Sequence, residues 1–325
     1  MQVMTEQYIR SLSEYPDPVV QWKLNKKVLR KPLSDLKLQK EVENLSLSPI
    51  IQGLLRDRDA RGNITFPPYD KWFGAHWVLS IFADLGYPQG DESLKPMLEQ
   101  CYRVWLSTEH EKHIRTVNGR TRRCASQEGN CIYYSLALRI ADDRTEELVS
   151  RLTKWQWEDG GWNCDKRPEA FNSSFNETLI PLRGLAWYAK SSGDSKVSIA
   201  VERAAEVFLK RFLFKRVTDG SVIDKNFVNL HYPNYWHYDI LFGLKVMAEA
   251  GYITDPRCSE ALDLLISKQL PDGGFPAEDR YYRVDDKKTS GHSRVDWGGT
   301  SIIHSNPFVT IDALAVLKDA GRLVL

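Results

Sequence analysis

Neither sign of charge is in excess. Across 325 residues, 44 Lys and Arg face 43 Asp and Glu, for a formal net charge of +1. That balance excludes a general nucleic-acid binder or a protein held on anionic membranes, because both need a basic field. No apolar run approaches the ~18 residues of a membrane span, and Met1 to Arg10 carry no apolar signal-peptide core. Cysteine is scarce: Cys101, Cys124, Cys131, Cys164 and Cys258 are odd in number and form no C-x-x-C pair. Reduced thiols in a cytoplasmic protein are expected, not a disulfide framework. Tryptophan is plentiful, with ten residues, many beside Gly, Pro or His and not inside apolar runs. Some are therefore expected to line a cavity. With 42% hydrophobic and 11% aromatic residues, the chain can bury a large core in one or two domains.

The most informative stretch is Gln156-Trp157-Glu158-Asp159-Gly160-Gly161-Trp162. It predicts a helix stopped by an Asp-Gly-Gly turn, with an aromatic ring directly after it. Glycine suits the positive-φ backbone of such a turn, and Asp159 can accept from local amides. The pattern returns at Gln269-Leu270-Pro271-Asp272-Gly273-Gly274-Phe275, 113 residues on, which is about two units of a helical-hairpin repeat.

Residues 1–33 read as a polar lead-in with a turn at Pro16-Asp17-Pro18, and residues 34–57 as helical. Amphipathic segments then alternate with segments apolar almost all round. The amphipathic ones lie near 92–106, at a helix carrying Leu148, Leu152 and Trp155 that ends at Trp157, at 196–213 and near 257–270. The apolar ones begin at Trp72, Cys131, Glu177, Trp236 and Pro307. Three inner segments end alike, at Asp84-Leu85-Gly86, Glu249-Ala250-Gly251 and Asp319-Ala320-Gly321. A hairpin cannot bury an all-apolar helix alone, so the units must stack. Five hairpins, with a sixth from the N-terminal segment, predict an all-α fold: a single (α/α)6 toroid over residues 34–325.

The Q-x-x-D-G-G-W stretch and this alternation, over roughly residues 60–321, resemble the terpene cyclase and protein prenyltransferase superfamily, squalene-hopene cyclase repeats in particular. The nearest likeness is to bacterial single-toroid prenyltransferase-like proteins. The resemblance implies an α/α toroid with a central cavity for an isoprenoid or similar apolar small molecule. Two departures are visible. No D-x-D-D acid motif is present, Asp285-Asp286 being followed by Lys287-Lys288, and the chain has room for one toroid where squalene cyclases have two. Glu128-Gly129-Asn130-Cys131 and Tyr235-Trp236-His237 loosely echo the zinc-site patterns of prenyltransferases. However, Cys131 and His237 lie about two hairpins apart, so no metal and no cofactor are expected.

In a toroid, the loops before the inner helices gather at one mouth, where helix N-termini favour anions. Glu128, Glu177 and Asp239 occupy comparable places in three hairpins. Gathered carboxylates raise one another's pKa, so one of them is a candidate general acid; the plain alternative is helix capping. His237 is a candidate base or orienting residue, with His231 beside it. Arg123 and Arg167 are candidates for binding a diphosphate or carboxylate. Trp72, Trp162, Trp236 and Tyr238 are candidates for shielding a cation through their π faces, and His76 and Tyr134 for lining the same cavity. Cys124 and Cys164 are either buried thiols or a nucleophile or ligand pair. Three functions are consistent with these residues: an isoprenoid-type enzyme in which Asp239 or Glu177 starts cation chemistry, a carbohydrate-active enzyme with paired carboxylates, and a non-catalytic binding toroid.

Overall fold

The computed structural model describes residues 2–32 and 34–323. They are predominantly helical: α1 (Gln2–Ser13), α2 (Pro18–Lys27), α3 (Leu36–Leu45), α4 (Pro49–Leu55), α5 (Ala75–Leu85), α6 (Lys95–Trp105), α7 (Thr108–Lys112), α8 (Ser126–Ala137), α9 (Arg144–Trp155), α10 (Phe175–Ser192), α11 (Ser195–Leu209), α12 (Ile240–Ala250), α13 (Ser259–Ser267) and α14 (Pro307–Asp319). The extended structure is slight. An antiparallel pair joins β1 (Arg115–Val117) to β2 (Arg120–Arg122), with Arg115 opposite Arg122; a parallel pair joins β3 (Arg283–Val284) to β4 (His292–Ser293). No helix among the described residues is long and apolar enough to cross a membrane.

Two kinds of helix alternate. Helices α5 and α12 are buried on nearly every side, while α6 and α9 bury one stripe, Met97, Leu98, Cys101, Tyr102 and Trp105 in α6 and Leu148, Val149, Leu152 and Trp155 in α9. The packing follows from this difference. The enclosed helices neighbour one another in chain order, α2 on α5, α5 on α8, α8 on α10, α10 on α12 and α12 on α14, and α14 in turn packs on α2. Amphipathic helices cover the pairs: α6 lies on α5 and α8, α9 on α8 and α10, and α11 on α10 and α12.

Residues 1–33, read from the sequence as a polar lead-in, supply α1 and α2. Asp17 starts α2 by accepting the Val19 N–H at 2.9 Å, and Pro18 takes the first helical position, where no N–H is needed. Helix α2 buries Trp22, Lys23 and Leu24, and the Trp22 indole donates to Gly86 O at 2.9 Å. The segment reads as polar because its buried face carries a lysine. The helix expected over 34–57 is two, because Ser48 caps α4 through the Ile51 N–H and Pro49 follows it.

The two related stretches make the same set of bonds. Gln156 Nε2 donates to Gly160 O at 2.7 Å, and Gln269 Nε2 to Gly273 O at 2.8 Å. Gly160 and Gly273 have φ of 102° and 88°. Asp159 accepts from the Ser173 hydroxyl and Asp272 from the Ser305 hydroxyl, both at 2.5 Å. The Trp162 N–H donates to Thr178 Oγ1 at 3.1 Å, and the Phe275 N–H to Thr310 Oγ1 at 2.8 Å. Each stretch thus ties the end of a covering helix to the first turns of the enclosed helix that follows. Helices α8 and α10 approach most closely, and glycine permits it: a Cβ on Gly129 would lie 2.6 Å from Pro181 N.

Candidate functional site

At the N-terminal ends of α8 and α10, two loops are laid side by side. Arg122 and Asn163 form an isolated parallel bridge, and the Arg123 N–H donates to Asn163 O at 3.1 Å. The residue after each bonded position is a cysteine, Cys124 and Cys164. Glu177, in the first turn of α10, completes the group. One donor atom from each of the three lies within 4.8 Å of the others, and Cys164 Sγ is 3.8 Å from Glu177 Oε1. The second Glu177 oxygen accepts the Ser126 N–H at 3.0 Å, which fixes the carboxyl.

The three groups divide their protons unequally. A hydrogen bond from Cys164 lowers the Cys124 pKa, and Arg123 helps hold it down. The same bond, with burial and Glu177, pushes the Cys164 thiol well up. Burial raises the Glu177 carboxyl. Lys71 faces Cys124 and Glu177, and burial lowers its pKa despite their charges. The group therefore holds one thiol made more acidic, one made less acidic and one carboxyl made less acidic than usual. Such perturbations cluster at working sites.

The other residues singled out from the sequence fall into place around this group. Burial pushes the Glu128 carboxyl up, but Arg123 and His110 more than offset that and hold it low; Arg123 Nη2 lies 2.7 Å from Glu128 Oε1. Asp239 is a cap and a partner of His231: it accepts the Phe242 N–H at 2.7 Å and the His231 N–H at 3.0 Å, and its carboxylate sits 2.8 Å from His231 Nδ1. Trp72 stacks flat on Tyr235 at 3.8 Å. His237 lies stacked between Trp236 at 4.1 Å and Tyr281 at 3.5 Å; burial and His231 lower its pKa to about 3, so it is a neutral ring. The Lys71 ammonium bridges these rings to the thiols, 4.8 Å from the Trp236 ring. His76 is fully buried, 3.3 Å from the Tyr134 hydroxyl, and burial takes it to about 3. Several buried polar atoms here have no hydrogen-bond partner among the described residues, among them Trp72 Nε1, His76 Nε2, Glu128 Oε2, Trp236 Nε1 and His237 Nδ1. Buried polar groups are almost always paired, so these atoms are available to water or to a bound molecule.

Three candidates stand elsewhere. Arg167 is exposed and pairs with Asp165 two residues away at 2.5 Å. Trp162 is fully buried at the loop junction, its indole donating to Leu152 O at 3.0 Å. Tyr238 is locked in the core by donating to Leu213 O at 2.6 Å, against Phe175 and Phe208. Long charged or aromatic side chains are ambiguous in sequence; the nearest partner decides their role.

Sequence reasoning missed a second set. Buried among the six enclosed helices, one polar side chain comes from each: Lys23, Asp84, Tyr133, Arg183, Lys245 and Asp312, with Glu249 as a seventh. Lys23 Nζ lies 3.3 Å from Asp84 and 2.8 Å from Asp312; Lys245 contacts the same two carboxylates. Arg183 forks onto Glu249 with two bonds of 2.6 Å and covers the Tyr133 ring at 3.6 Å. Asp84 and Glu249 belong to the inner-segment endings that repeat in the sequence, a signal that could have found them.

No family model, curated protein or solved structure matches this chain.

Proposed function

We propose that this chain is a single (α/α)6 toroid of the terpene cyclase and prenyltransferase kind, and an enzyme whose working site is the thiol and carboxylate group at the N-terminal ends of α8 and α10. The observation that carries the reading is the convergence of Cys124, Cys164 and Glu177. Two soft sulfurs and one carboxylate suit zinc, and three protein donors are what catalytic zinc sites provide, with one position left for a small molecule. The lowered Cys124 pKa and the orientation of Glu177 fit that role, and a bound zinc would have to displace the protons that burial favours on Cys164 and Glu177, because ligands bind deprotonated. A bound zinc would supply Lewis acidity and lower the pKa of whatever group joins it.

The residues around it divide the remaining work. Lys71 offers a cation beside the site, and Arg123 secures Glu128 and its helix start. The faces of Trp72, Trp236 and Tyr281 give an apolar or unsaturated substrate of the isoprenoid class a surface on which developing positive charge is stabilised. The carbohydrate reading is weaker, because a pair of free opposed carboxylates is needed. Glu128 is tied to Arg123, and Asp239 to His231 and the α12 start. An extended apolar channel between the inner helices is also disfavoured, since that space holds the charged set.

The test is a cobalt(II) titration of the reduced protein. The expected result is one equivalent bound, with a thiolate-to-cobalt charge-transfer band that zinc displaces. Cys124→Ser and Cys164→Ser should each abolish the band, and Cys131→Ser should leave it intact. Binding that survives both substitutions would place the metal elsewhere and sink the reading.

A further inference from the structure

The opposite ends of the enclosed helices carry a separate feature. Around the C-terminal ends of α2, α5, α8, α10 and α12 lie three cavities, the largest about 660 Å³ and the others about 210 and 170 Å³. All three share Trp187, and the two smaller share Lys26 and Lys27. They are lobes around one indole, which is held in place by donating to Glu249 Oε2 at 3.2 Å. A volume of this size is typical of a small-molecule site.

The charges at this mouth do not balance. In the buried set beneath it, Lys23, Arg183 and Lys245 are matched by Asp84, Glu249 and Asp312. Among the described residues, Lys27, one turn on from Lys23 in α2, has no carboxylate within ion-pair distance. Neither do Lys26 and Arg139, and Lys190 donates only to the Glu249 backbone carbonyl. Four cations without a carboxylate partner among the described residues thus line these lobes, alongside Glu249, Asp312 and the paired Arg30 and Asp319, and the cations remain in excess. Burial, and then the Lys245 ammonium, lower the Lys27 pKa to about 8, although Glu249 and Asp84 act against the shift. The apolar share of the wall comes from Trp187, Leu136 and Ala141. Three of the four cations are lysines, which serve phosphate as point charges, where a planar carboxylate would favour arginine forks.

We propose that this mouth is a binding site for a phosphorylated small molecule with an apolar body, the phosphate seated on Lys27 and its neighbouring cations and the body against Trp187. The inference is independent of the metal reading, which concerns the other end of the same helices.

Calorimetric titration of the full chain with octyl phosphate tests it, with octyl sulfate and octanol as controls. Saturable one-to-one binding of octyl phosphate is expected, tighter than octyl sulfate by about tenfold because the phosphate carries the greater charge. Lys27→Met should weaken it by about tenfold or more, and Lys27→Arg should largely restore it. The exposed pair Arg139→Gln and Lys190→Met, whose loss leaves the core untouched, should weaken it by about threefold or more. Trp187→Leu should weaken octyl phosphate while leaving inorganic phosphate unchanged. Equal binding of phosphate and sulfate, affinity unmoved by the Lys27 and Arg139/Lys190 changes, or no saturable binding would each overturn the proposal.

Discussion

Asp84 offers the sharpest test of how the enclosed helices are held together. Its carboxylate is 3.3 Å from Lys23 Nζ and 3.5 Å from Arg183 Nη2; it bonds to Lys245 Nζ and accepts the Tyr232 hydroxyl at 3.1 Å. Burial pushes its pKa up, but Lys245, Lys23, Arg183 and Lys27 together hold it well below the usual value of 3.8. Asp84→Asn keeps the shape and removes the charge. The four cations Lys23, Lys27, Arg183 and Lys245 then face two carboxylates in place of three. Removing one partner of a buried ion network costs about 3–5 kcal/mol, against a total stability of about 5–15 kcal/mol. The expected fall in Tm is about 4–7 °C for a chain of this length. Asp319→Asn is the control, because its pair with Arg30 is half exposed and is worth about 0–1 kcal/mol. Lys27→Met added to Asp84→Asn removes an unmatched cation and should recover part of the loss. Urea unfolding followed by far-UV circular dichroism reads all of these as midpoint shifts at constant slope. The sign with pH is also fixed. A carboxyl with a depressed folded pKa stabilises above its unfolded value, and the contribution is lost as pH falls through the folded one. Wild type should therefore weaken more steeply than Asp84→Asn below about pH 4. If Asp84→Asn lay within about 1 kcal/mol of wild type, or Lys27→Met worsened it, the network would not be the support described.

Other predictions concern single features. Glu177→Gln should raise Tm at pH 7 and not at pH 4, because burial raises the native carboxyl and its ionisation opposes folding only above its unfolded pKa; equal Tm gains at both pH values would contradict this. Asp239→Ala removes the α12 cap and strips buried His231 of its partner, a loss of about 2–4 kcal/mol by urea unfolding; Asp239→Asn should keep the cap and lose less. Gly129→Ala forces a methyl group against the α10 backbone and should cost about 1–3 kcal/mol, seen as a lower urea midpoint. Iodoacetamide should alkylate Cys124 at least about tenfold faster than Cys101, Cys131 and Cys258, whose thiols burial pushes up, as followed by peptide mass mapping; equal rates would remove the activated thiol from the argument.

How much of this was legible in the chain follows from the range of each interaction. Helical content, the alternation of enclosed and covering helices and the two related turns depend on periodicity and on residues a few positions apart, and these are written locally. Gln156 and Gln269 close their own turns, so their bonds could be read from Q-x-x-D-G-G. Glu177 was readable as a polar residue at a helix start. Its partners Cys124 and Cys164 became a set only when the Arg122 to Asn163 bridge laid two loops together. Arg123 and Arg167 look alike in sequence; one meets Glu128 in the interior and the other meets Asp165 at the surface. The clearest case is Lys23. In sequence it belongs to a polar stretch before the first obvious hairpin, and solvent would be its default neighbour. Only the packing of α2 between α5 and α14 brings it to Asp84 and Asp312, 61 and 289 residues away in the chain. Local physics determined which segments are helices and where they stop; the tertiary structure decided which charges meet, because partners hundreds of residues apart share no signal until the helices enclose them.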